Sequence, residues 1–117
     1  MQYIALIYAD PSAAPVYGTP EFETMMQGYA TLTQSLKTAG AYIAGEGLKG
    51  VDTATSLKVR GGKVETMDGP FAETKERLAG FYLFDVADLD AALRYAAMIP
   101  TAAYGTIEVR PVMDYRS

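Results

Sequence analysis

An Asp-Gly-Pro turn that feeds a strand apolar on both of its sides constrains this chain more than any other feature. The stretch runs Met67-Asp68-Gly69-Pro70-Phe71-Ala72-Glu73-Thr74-Lys75-Glu76 and continues at once as Leu78-Ala79-Gly80-Phe81-Tyr82-Leu83-Phe84. Gly accepts positive φ, Pro fixes φ and lacks an N–H, and the residue before Pro is pushed out of the helical region, so the backbone has to turn there. In the strand that follows, Phe81 and Leu83 fall on one side and Tyr82 and Phe84 on the other. Such a strand is expected at the centre of a sheet and covered on both faces.

The rest of the chain supplies that sheet. Tyr3 to Ala9 reads as a first strand, again apolar on both sides, with Tyr3, Ala5 and Ile7 against Ile4, Leu6 and Tyr8. After a proline-bearing loop from Asp10 to Pro15, Thr19 offers a hydroxyl cap, Pro20 a first helical residue, and Glu21 and Glu23 an acidic first turn. Phe22, Met25, Met26, Tyr29, Leu32 and Leu36 recur at helical spacing, and Gly40 is a left-handed stop. Residues 41 to 48 form a second strand, in which the glycines beside Glu46 predict a bulge or a close backbone approach. Thr55 to Arg60 and Lys63 to Met67 read as a mostly polar, peripheral hairpin around Gly61-Gly62. Asp88 caps a second helix with Leu89, Ala92, Leu93, Ala96 and Ile99 on one face and Pro100 at its end; Thr106 to Val112 is the last strand.

Without the hairpin the order is βαββαβ, so the expected fold class is α+β, ferredoxin-like, as a single domain over residues 1–117. Two helices cover only one face of such a sheet. Burying a Leu or Phe side chain is worth roughly 1.5 to 3 kcal/mol, so an uncovered apolar face would forfeit several such contributions. A second copy of the chain is the simplest cover, and a homodimer is expected.

The run Asp68-Gly69-Pro70-Phe71-Ala72-Glu73-Thr74-Lys75-Glu76 carries a family resemblance too. Together with Gly80-Phe81-Tyr82, Asp88-Leu89-Asp90-Ala91-Ala92, Ile99-Pro100 and Glu108-Val109-Arg110-Pro111-Val112, it resembles the DGPF-type branch of the YCII-related family from Tyr3 to Val112. The resemblance implies a dimeric α+β barrel with a small-molecule cavity in each subunit, between the sheet and its partner, and for some members a His-Asp pair. A related branch resembles dehalogenating enzymes that act on small aromatic rings. This chain has no histidine, so that chemistry does not carry over. The resemblance also implies a second, non-enzymatic reading, in which the protein is a regulatory or interaction module for a sigma factor of the extracytoplasmic-function class.

Candidate site residues are polar groups on otherwise apolar strands. Glu46, between two glycines, is a candidate general base if desolvation raises its pKa; the plainer alternative is an ion pair with Arg110 or Lys49. Tyr8 is a candidate proton donor beside it. Arg110 can clamp a ligand carboxylate or tie its strand to a neighbouring acid. Asp68 can face a ligand or hold its own turn through backbone N–H groups. Tyr29 and Met26 can contribute from the first helix, while Phe71 reads as a plug that anchors the motif loop in the core. Glu73, Lys75, Glu76 and Arg77 read as a solvated surface or interface salt bridges.

Composition excludes much else. With no Cys and no His there is no disulfide, thiolate nucleophile, imidazole ligand or Ser-His pair. A net charge of −4 without a Lys/Arg cluster argues against direct nucleic-acid binding. No dinucleotide fingerprint, P-loop or metal-ligand spacing occurs, and no cofactor is implied. The absence of a basic leader and of a long apolar run leads to the expectation of a soluble, cytoplasmic protein with no membrane partner.

Overall fold

The computed structural model of the protein describes residues 1–115. Its strands are β1 (Gln2–Ala9), β2 (Tyr42–Gly47), β3 (Thr55–Arg60), β4 (Lys63–Asp68), β5 (Arg77–Asp85) and β6 (Thr106–Pro111), and its helices are α1 (Pro20–Thr38) and α2 (Leu89–Ala96). Single 3-10 turns at Val51–Thr53 and Pro100–Ala103 add to the elements expected from the sequence. β2, β5, β1 and β6 form one antiparallel sheet in that order, and β3 and β4 form a separate two-stranded sheet. With both helices on one face, the main sheet has the ferredoxin-like arrangement expected from the element order.

The helix boundaries follow from their caps. Thr19 Oγ1 accepts from the Phe22 N–H at 3.2 Å, and the Asp88 carboxylate accepts from the Ala91 N–H at 2.9 Å. Gly40, at φ +71°, takes the left-handed turn that ends the first helical segment. At the hairpin, Gly61 and Gly62 have φ of +57° and +76°, the pair of positive angles that a two-residue turn between right-twisted strands requires.

Alternation sorts the sheet into two unlike faces. Tyr3, Ala5 and Ile7 of β1 and Tyr82 and Phe84 of β5 meet Leu32 and Leu36 of α1 and Ala92 and Ala96 of α2 in the single core. The opposite set, Ile4 and Leu6 of β1 with Phe81 and Leu83 of β5, is only half-buried. Register lines these residues up as rows across the helix-free face: Glu46, Phe81, Leu6, Glu108, and beside it Ala44, Leu83, Ile4, Arg110. The chain is a plate, with Cα extents of 47 × 46 × 18 Å and a radius of gyration of 16.2 Å, where about 13 Å is usual for this length.

Several expectations need correcting. Phe71 is 87% exposed and does not plug the core of its own chain; the motif loop stays at the surface. Leu89 and Leu93 are each 46% exposed, because α2 turns its small residues Ala92 and Ala96 inward and lies close to the sheet. The register break in β2 falls between Tyr42 and Ala44, not beside Glu46. Close approach does occur at Gly45, where a Cβ would stand 2.7 Å from the Tyr82 ring. The motif turn is held by Gly69, whose N–H reaches Ala54 O at 2.8 Å and whose carbonyl accepts from Ser56 Oγ at 2.8 Å, while Asp68 is exposed.

Candidate functional site

Two hollows flank the main sheet, one on each side of its β2 end. The larger-walled one lies under the first half of α1 and has a volume of about 540 Å³. There the helix carries Met25, Tyr29 and Thr33 one turn apart rather than the leucines of its second half, so it bridges over the sheet instead of sealing against it. Gly45, Gly47 and Gly80 form its floor. They share the side of Tyr82 in the ladder, and without side chains they leave bare backbone beneath the helix. Gly28 sets the helix height, since a Cβ there would stand 2.8 Å from Pro100 Cγ.

Hydroxyls pair off around this cleft. Tyr29 OH lies 2.6 Å from Thr101 Oγ1, Thr33 Oγ1 lies 2.7 Å from Tyr82 OH, and Tyr104 OH donates to Met25 Sδ at 3.0 Å. Thr101 is 96% removed from solvent, and its hydroxyl also stands 3.4 Å from Tyr104 OH. The Tyr104 proton is committed to sulfur, so Thr101 donates either to Tyr104 or to Tyr29. In the first state Tyr29 O–H points to Thr101 and its lone pairs are open; in the second its proton is free. Tyr29 can therefore serve a donor or an acceptor by rotation of two hydroxyls. The Tyr29 and Tyr82 rings stack with centroids 6.4 Å apart, and Tyr42 meets Tyr82 edge-on at 6.5 Å.

Burial pushes the Tyr29 and Tyr82 phenols above the ordinary phenol range, and their hydrogen bonds to Thr101 and Thr33 only partly offset it. Both stay protonated at neutral pH. Below about pH 10 these phenols are protonated in folded and unfolded chains alike. Above it the unfolded chain ionises first, so the stability that their burial contributes is lost as pH rises toward the folded-state values. Spectrophotometric titration of the nine tyrosines should show a late phenolate component that Tyr29→Phe and Tyr82→Phe each reduce. A titration in which neither variant alters that component would remove the case for desolvated phenols.

The second hollow, about 520 Å³, lies between the motif loop and the segment after β2. Tyr8, Lys49, Pro70, Phe71, Arg77 and Leu78 contribute to its walls.

The residues singled out from the sequence are divided between these places. Tyr29 lies in the tyrosine cleft and Met26 at its rim, 47% exposed. Glu46 contributes to the same lining, but its register opposite Phe81 sends its side chain to the helix-free face, so what it presents to the cleft is backbone. It is exposed rather than desolvated in the single chain. Tyr8 belongs to the motif hollow. Arg110 lies on the far edge of the sheet, at least about 14 Å from Glu46 across three strand spacings, and pairs with Glu108 of its own strand at 3.3 Å. Neither Arg110 nor Lys49 forms an ion pair with Glu46 among the described residues. Asp68 closes β4 and lines neither hollow. From the sequence Tyr82 and Tyr104, with Tyr3, Tyr8 and Tyr29, read as core or interface aromatics rather than a stacking platform; Thr33 and Thr101 are not among the candidates, and only Thr33, one turn beyond Tyr29 on the same helix side, has a local signal.

Among the described residues no cluster of three His, Cys, Asp or Glu side chains is placed to hold a metal ion, and no helix is long and apolar enough to cross a membrane. The sequence matches the YCII-related domain over residues 1–116. The chain belongs to the YCII-related family. It is also 37% identical over 118 residues to an uncharacterised protein of Rhizobium meliloti (strain 1021), a match that covers 99% of this chain and 95% of the relative. Within the YCII-related frame, the tyrosine cleft is the hollow with the most interlinked polar groups.

Proposed function

We propose that this YCII-related protein binds a small, uncharged, ring-bearing molecule with a hydroxyl or carbonyl group in the tyrosine cleft, and that a second copy of the chain covers the helix-free face. The observation that carries the reading is the ring of paired hydroxyls over a glycine floor. A flat ligand stacks on the Tyr29 and Tyr82 rings, and its polar atom meets the Tyr29 hydroxyl, which can donate or accept. No cation lines the cleft among the described residues, so an anionic ligand would find no partner for its charge. Phenols held protonated by burial suit recognition and orientation rather than proton abstraction. Glu46 is then a carboxylate of the subunit interface, not a base for this ligand.

The chain lacks tryptophan and four of its nine tyrosines line the cleft, so part of the tyrosine emission reports on it. Titration with hydroxylated naphthalenes should quench that emission saturably. Tyr29→Phe removes the adjustable hydroxyl and should weaken binding about tenfold, the equivalent of one hydrogen bond to a buried group. Equal affinity in the variant, or preference for a carboxylated probe, would overturn the reading.

A further inference from the structure

We propose that the β3–β4 hairpin is a dimerisation arm whose apolar face lies on a second copy of the chain; this rests on the dimer proposed above and extends it. The register sets Leu57 opposite Thr66 and Val59 opposite Val64, so these side chains share one face of the hairpin with Thr55 and Asp68. Lys58, Arg60, Lys63 and Glu65 share the other with Ser56 and Met67. The hairpin is thus amphipathic, yet Leu57, Val59 and Val64 are 65%, 52% and 65% exposed. Among the described residues its strands pair only with each other and no other element packs closely on them. A lone two-stranded hairpin is marginally stable in water, so a bare apolar face of this kind needs a cover.

Area points to a second copy as that cover. The helix-free face of four strands spans about 20 by 20 Å, roughly 400 Å², whereas a stable interface takes about 800 Å² from each partner. The six-residue strands of the hairpin add a face of about 20 by 10 Å, or roughly 200 Å², which brings the footprint much nearer to that size.

The test compares Leu57→Thr/Val64→Thr with Leu6→Glu by sedimentation, alongside amide exchange of residues 55–68 at several protein concentrations. Threonine keeps the strand preference, so the double variant should fold normally. It should raise the dimer dissociation constant on the order of a hundredfold, because two apolar contacts are lost in each subunit. Hairpin amides of the unmodified protein should gain protection as concentration rises. Should Leu6→Glu abolish the dimer while the hairpin variant leaves its dissociation constant and amide protection unchanged, the arm is overturned and the dimer stands. An unmodified chain that remains monomeric at high concentration overturns both.

Discussion

Phe84→Ala should destabilise the protein by about 3 to 5 kcal/mol, a large share of the roughly 5 to 15 kcal/mol available to a domain of this kind. Phe84 is fully buried. Its ring stacks on Tyr82 at 5.9 Å and packs against Tyr95 at 6.0 Å, and its strand position lies between Tyr3 of β1 and Tyr42 of β2. The aromatic cluster cannot close the gap without disturbing the Tyr82 hydroxyl pair with Thr33. Urea denaturation should show a lower midpoint with an unchanged slope, and a loss below about 2 kcal/mol would mean that the core relaxes in a way these contacts do not allow. The neighbouring Leu83→Ala is an informative contrast. Leu83 is half-buried on the helix-free face, so its cost should be small in a monomer and should grow with protein concentration where a second copy covers it.

Local chemistry explains why the elements were legible. Thr19, Pro20, Gly40, Asp88 and Gly61-Gly62 act through their own backbone and immediate neighbours, and each stands where its preference predicts. The two-sided apolar strands β1 and β5 likewise announced their central places. The cleft was not legible because its pairs are remote in sequence: Tyr29 meets Thr101 across 72 positions, and Thr33 meets Tyr82 across 49. Nothing local distinguishes a tyrosine that will stack in a core from one whose hydroxyl will find a threonine. Glu46 attracted notice for its flanking glycines, but the glycines open the cleft on one side of β2 and the carboxylate projects from the other. Phe71 misled in a different way. An aromatic residue in a turn is expected to anchor it, yet backbone bonds from Gly69 and the Ser56 hydroxyl already hold this turn, and the ring is left outside.

Gly45→Ala should both destabilise the fold and weaken the cleft's affinity for its ligand, whereas Gly47→Ala, two residues along the same strand, should leave stability nearly unchanged. A Cβ on Gly45 would stand 2.7 and 3.0 Å from two atoms of the Tyr82 ring and 3.3 Å from Phe81 O. The ring cannot step aside cheaply, because Thr33 holds its hydroxyl at 2.7 Å and Tyr29 and Phe84 stack on it. Overpacking of this sort costs about 1 to 3 kcal/mol, and the ring movement that relieves it carries the hydroxyl away from Thr33 and into the space a ligand would occupy. Naphthol binding should fall by at least about tenfold. At Gly47 nothing lies within 4 Å of the added carbon and φ is not positive, so stability should change by no more than about 0.5 kcal/mol. A comparable loss of stability from both substitutions would mean that the β2 backbone, and not the Tyr82 ring, is what cannot move. Undiminished binding in Gly45→Ala would place the ligand somewhere other than over the glycine floor.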